Sequence, residues 1–97
     1  MKIDFTARHF KAADRIKNYA EKEVKRLERY YDGIINCEII LDRDNNAAVA
    51  EIILRVYGKK LIAKEQSDEM SKSVDLAVSK LERILKKYKS RLKDHSA

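Results

Sequence analysis

The chain has 97 residues, 44% of them apolar and 39% charged, with a formal net charge of +6. That length allows one domain around a single modest core, and the apolar share is that of a folded protein rather than a disordered one. No apolar run approaches the length of a membrane-spanning helix, the N-terminus lacks the apolar stretch of a signal peptide, and a lone Cys37 excludes an internal disulfide. A reducing, cytoplasmic setting is expected. A basic excess of this size points to phosphate partners or an anionic membrane surface.

Residues 2–8 alternate, Ile3, Phe5 and Ala7 against Lys2, Asp4, Thr6 and Arg8, which predicts a half-buried strand. From about 12 to 31 the period becomes helical, with Ile16, Ala20, Val24, Leu27 and Tyr31 at steps of four, four, three and four. Asp32-Gly33 is expected to end this helix, with Gly33 in the left-handed conformation. Residues 35–42 alternate again, Ile35, Cys37, Ile39 and Leu41 against Asn36, Glu38, Ile40 and Asp42. Asp44-Asn45-Asn46 reads as a turn into a strand over 48–57, where Ala50, Ile52, Leu54 and Val56 share one face. Gly58-Lys59 turns the chain into a short strand near 60–66. From 69 to about 93 the pattern is helical, with a broad stripe of Met70, Val74, Ala77, Val78, Leu81, Ile84, Leu85, Tyr88 and Leu92. Ser67 or Asp68 suits the N-cap of this helix, and Ser71 and Ser73 read as further local capping.

The order is βαβββα, an α+β fold. The first strand, helix and second strand form a crossover, which implies parallel pairing, and the next three strands form an antiparallel meander. Two helices with one apolar stripe each are most economically buried on a shared face of a four-stranded sheet, a two-layer sandwich. The chain shows no linker and no internal repeat, so residues 1–97 are read as one domain.

Charge is unevenly placed. Residues 1–31 carry +4, residues 32–70 carry −3 and residues 71–97 carry +5, so the excess belongs to the helices. At about 100° per residue, Arg15, Lys22, Arg26 and Arg29 fall in one sector of the first helix, away from its apolar stripe. Lys72, Lys80, Arg83, Lys86 and Lys87 lie opposite the stripe of the second, with Asp75 and Glu82 together on one flank; Lys89, Arg91 and Lys93 extend the charge. Solvated faces laced with intrahelical pairs such as Glu21–Lys25 are the ordinary explanation of charged helices. The second helix has too few acids for that, which favours a polyanion as partner. A membrane-surface helix is the weaker rival, because the sheet requires that apolar stripe and no Trp or Phe anchors it.

Other motifs carry no chemistry. Asp42-Arg43-Asp44-Asn45-Asn46 opens like a calcium loop, but Ala47 and Ile53 stand where Gly and Glu are needed. No glycine-rich phosphate loop exists, His9 and His95 are far apart, and Cys37 falls on a core face where a thiol is inert. No catalytic constellation, metal site or cofactor site is predicted, and no small-molecule substrate is implied. Tyr30, Tyr31, Tyr57 and Tyr88 could stack on bases, but Tyr31 and Tyr88 fall on the stripes. No aromatic array is expected, so recognition should rest on backbone and shape.

Phe5-Thr6-Ala7-Arg8-His9, Ala20 and Lys25 through Asp32, then Ala63, Met70, Val74-Asp75, Lys80-Leu81, Arg83, Leu85, Lys87, Lys89, Arg91-Leu92-Lys93 and His95 together resemble ribosome hibernation-promoting factors. These are also described as ribosome-associated translation inhibitors or sigma-54 modulation proteins. The resemblance spans nearly the whole chain. It departs at Ala7, where the family usually has Gly, at Ala13, often a Thr cap, and at Ser71-Lys72-Ser73, usually Tyr-Ala-Ala.

What the resemblance implies is a βαβββα fold related to double-stranded-RNA-binding domains. It also implies a non-enzymatic monomer that occupies the decoding channel of the small ribosomal subunit, contacts 16S rRNA and silences ribosomes in stationary phase or starvation. Carried over by position, the RNA-binding residues are Lys80, Arg83, Lys87, Lys89 and Arg91, with Arg26 in support; Lys22, Arg29 and Lys86 are added from the charge geometry alone. Ending at Ala97, the chain resembles the short form, without a C-terminal dimerisation domain, a form for which ribosome modulation factor is the implied partner in pairing ribosomes. Two alternatives stand beside this reading. One is a protein-interaction module using Ile40, Val49, Ile53 and Ile62 on the outer sheet face, and the other is a general RNA chaperone.

Overall fold

Two strands of complementary alternation pair first. In the computed structural model, which describes the backbone of residues 1–95 and the side chains of residues 1–92, β1 (Lys2–Arg8) lies parallel to β2 (Asn36–Asp44), with Ile3 opposite Cys37 and Phe5 opposite Ile39. β2 pairs antiparallel with β3 (Ala47–Val56) and β3 with β4 (Lys59–Ser67), giving the sheet order β1-β2-β3-β4. Asn45, at φ 57°, makes the first hairpin turn, a conformation that Asn tolerates better than most residues. Gly58, at φ +70°, makes the second.

The helical segments are α1 (Asp14–Lys25), a 3-10 turn over Arg26–Arg29, and α2 (Met70–His95). Ala20, Val24 and Leu27 from the first and Val74, Ala77, Leu81 and Leu85 from α2 join Cys37, Ile39, Leu41, Ile52 and Leu54 in one core. Those sheet residues share one face, so both helices cover it and the opposite face stays open. Each fully buried Leu or Ile here contributes about 1.5–3 kcal/mol of transfer free energy. The two-layer βαβββα fold predicted from periodicity is the one observed.

Five local expectations are corrected. The first helix does not run as an α-helix to Tyr31: from Arg26 it tightens, and Tyr30 N–H donates to the Leu27 carbonyl (3.1 Å). Gly33 does not adopt the left-handed conformation; it is small because the Tyr31 ring folds back onto it, and a Cβ there would overlap that ring. Ile35 lies before β2 rather than in it and is 55% exposed. Ser73 is not a surface cap. It is fully buried, its hydroxyl donates to the Ala48 carbonyl (2.6 Å) and shares a hydrogen bond with the Ser67 hydroxyl (2.7 Å), which ties the start of α2 to the sheet. Neither Ser67 nor Asp68 is the residue that precedes α2; Ser67 ends β4, and its hydroxyl accepts from Glu69 N–H (3.2 Å) in the turn that leads into the helix. At the other end of α2 the apolar stripe loosens, and Leu92 is exposed.

The Tyr31 ring meets Tyr88 edge-on, with centroids 5.5 Å apart at 81°, a geometry that contributes about 0.5–1.5 kcal/mol beyond the area it buries. Gly33→Ala should push the Tyr31 ring off this contact and lower stability by about 1–3 kcal/mol. In a Tyr31→Ala background the same change should be close to neutral. Urea denaturation of the four proteins measures the coupling, and equal costs in both backgrounds would show that the ring is not what Gly33 accommodates.

Candidate nucleic-acid interface

The outward charge of the helices depends on what happens in the seam between them. Tyr19 of α1 donates a hydrogen bond to Asp75 of α2. That bond, with burial behind it, pushes the Tyr19 hydroxyl up to about 12 and keeps it a neutral donor. Arg26 donates to Glu23 (2.9 Å) and approaches Glu82 of α2 (3.9 Å); the Glu23 hydrogen bond raises the guanidinium pKa further. The acidic flank of α2 read from the sequence, Asp75 and Glu82, is therefore turned into the seam. The predicted Glu21–Lys25 pair is absent among the described residues, and Glu23–Arg26 forms in its place.

This leaves the outer surface cationic. Among the described residues, Arg26 is the only predicted RNA-binding residue with a carboxylate within 4 Å. Lys22, Arg29, Arg83, Lys86, Lys87, Lys89 and Arg91 are exposed and Lys80 is half-buried; the Lys93 side chain lies outside the described residues. Like charges at this density repel each other, and a polyanion would relieve that repulsion.

The predicted residues do not form one cluster. Arg29, Lys86 and Lys89 converge with Tyr30 and Ser90 around a cleft of about 390 Å3 where the 3-10 turn meets the later half of α2. Lys86 Nζ stands 5.0 Å from the Tyr30 ring centroid, a cation–π distance that holds the ammonium in place. Lys80, Lys87 and Arg91 lie roughly 100° or more around α2 from Lys86, with Arg83 between the two groups. Arg26 sits in the seam, and Lys22 stands apart on α1. Sequence reasoning left Ser90 out and did not choose Tyr30, because their place in the cleft depends on contact between segments about 60 residues apart.

Other surfaces are electrically mixed. A larger groove of about 610 Å3, at the starts of both helices, sets Asp68 and Glu69 beside Arg15 and Arg43. On the open sheet face Arg8 faces Asp42 and Glu51 faces Lys64 in register. The apolar patch expected there is reduced, since Ile40 and Val49 are each only 8% exposed and Ile53 is half-buried, while Ile62, at 49%, is its exposed member. His9, at φ 65°, is held by Asp42 through Nδ1 (2.7 Å). Cys37 is buried, and desolvation, reinforced by the Asp4 and Glu38 charges, pushes its thiol up to about 12, the inert state expected of it. Residues 42–46 end one strand and turn into the next, as a hairpin rather than a calcium loop between helices.

The geometry thus defines a small two-layer α+β domain with a cationic helical face. Residues 3–93 match the family described as Sigma 54 modulation protein / S30EA ribosomal protein, and the chain belongs to that family. It is 28% identical over 91 residues to a ribosome hibernation promoting factor of Azotobacter vinelandii, covering 94% of this chain and 85% of that one. With the ribosome hibernation promotion factor of Staphylococcus aureus it shares 33% identity over 82 residues, 81% of this chain but only 43% of the relative's length. A ribosomal subunit interface protein from Coxiella burnetii superposes with a TM-score of 0.87 at 30% identity, over 93% of this chain and 99% of that one. The N-terminal domain of Thermus thermophilus Protein Y gives 0.83 at 30% identity, over 91% and 99%.

Proposed function

We propose that this protein is a non-enzymatic ribosome hibernation factor of the bacterial cytoplasm. It binds the small subunit at the decoding channel, contacts 16S rRNA through its basic helical face, and keeps messenger and transfer RNA out during stationary phase or stress. The observation that carries the reading is the division of charge: the seam takes up Asp75, Glu23 and Glu82, while among the described residues the outer lysines and arginines of both helices have no carboxylate within ion-pair distance. The names of the relatives, hibernation promoting factors and a subunit interface protein, support the same reading.

Co-sedimentation with purified small subunits, with chemical probing of 16S rRNA, tests it. If five to eight phosphates are neutralised, affinity should fall with salt along a log–log slope of roughly −4 to −7. A flat response would sink the electrostatic mechanism.

A further inference from the structure

The end of the β3–β4 hairpin is unlike the rest of the sheet. Val56 pairs with Lys59, so Tyr57 and Gly58 form a two-residue turn. Gly58 supplies the positive φ that the turn requires, but nothing about a turn of this kind requires an aromatic neighbour. The Tyr57 ring is 88% exposed and takes no part in the core. Around it, Ile35, Arg55, Val56, Gly58, Lys59 and Lys60 complete a groove of about 500 Å3 with three cations and no carboxylate among its lining residues. On the open face Arg55 and Lys60 also border Asp4 and Glu38, yet among the described residues neither they nor Lys59 come within ion-pair distance of an acid.

The tip is continuous with the basic helix. Lys59 Nζ lies 5.9 Å from the ring centroid of Tyr88, and Tyr88 stands between Lys87 and Lys89 in the sequence of α2. A protein partner is the poorer fit, since lysine is depleted from protein–protein interfaces. An exposed aromatic face flanked by cations is what single-stranded nucleic acid uses: the base stacks, and its phosphates meet the charges.

We propose that the β3–β4 hairpin tip is a second RNA contact, in which Tyr57 stacks on one unpaired base while Arg55, Lys59 and Lys60 hold the adjoining phosphates. The inference rests on the ribosome-binding reading and adds to it a base-stacking site off the helices.

The chain has no tryptophan, so Tyr57→Trp places a sole indole at the tip. Mixed with small subunits stripped of messenger and transfer RNA, this variant should co-sediment and its emission should be quenched by the stacked base. Co-sedimentation with unchanged emission, or with a blue shift and no quenching as against a protein surface, overturns the hairpin contact and leaves ribosome binding standing. Failure of the unsubstituted chain to co-sediment overturns both. Independently, Tyr57→Ala should weaken binding about 5- to 100-fold, and Tyr57→Phe, which keeps the ring, by no more than about twofold. Lys59→Gln with Lys60→Gln should make the salt slope shallower by about two. Equal losses for Ala and Phe, or an unchanged slope, would count against stacking and against the phosphate contacts respectively.

Discussion

Replacing both Arg83 and Lys87 with Glu should weaken binding to the small ribosomal subunit by roughly 10^2- to 10^4-fold. Each charge-assisted hydrogen bond to phosphate contributes about 1.5–3 kcal/mol, and two such losses multiply in the binding constant. Reversal adds repulsion to the loss. Both side chains are exposed and among the described residues neither forms an ion pair, so folding stability should stay within about 0.5 kcal/mol. Glu51→Lys, on the open sheet face away from the hairpin tip, forms the control. Glu51 gives up an opposite-charge neighbour in Lys64, at a cost of about 0.2–1 kcal/mol in the sheet, but binding should hardly change. Filter binding at fixed ionic strength, with urea denaturation alongside, separates the two effects. Should the sheet variant abolish binding while the helix variant retains it, the partner docks on the open face and the helical interface is wrong.

The helical face could be read from the sequence because each helix places its charges by a fixed local period. Once Ile16, Ala20, Val24 and Leu27 face the sheet, Lys22 must point away. The same holds for Arg83 once Leu81 and Leu85 are buried. Strand order was equally accessible, since the crossover and the two short turns leave few other pairings.

Relations between segments were not accessible in this way. Asp75 and Glu82 read as a flank of one helix, and only the neighbouring Tyr19 and Arg26 show that this flank is a seam. Gly33 read as a helix stop, because the position to which Tyr31 returns depends on how the 3-10 turn closes against Tyr88. The hairpin tip was hidden by addition. Residues 32–70 sum to −3, which conceals that Arg55, Lys59 and Lys60 gather at one end while Asp42, Asp44 and Glu51 lie towards the other.

The final expected result distinguishes occlusion of the decoding site from generic affinity for RNA. α2 has 26 residues and so a length of about 39 Å. Its charge is carried on more than one side: Lys86 and Lys89 towards the cleft with Arg29, Arg83 along the crest, and Lys80, Lys87 and Arg91 around the far flank. A convex surface charged in this manner fits a channel walled by phosphates on several sides. An isolated duplex could meet only part of it at once, and the unmet cations would contribute little.

Binding to free duplex RNA should therefore be weak and indifferent to sequence, while binding to vacant small subunits should be tight. Because the same channel holds messenger and transfer RNA, the protein and initiator transfer RNA should displace each other, and added protein should inhibit initiation on vacant ribosomes far more than elongation on ribosomes already engaged. Sedimentation with labelled initiator transfer RNA and labelled protein measures the competition directly. If both labels saturate the same subunits together, the protein binds elsewhere on the particle, and its basic face serves attachment rather than exclusion.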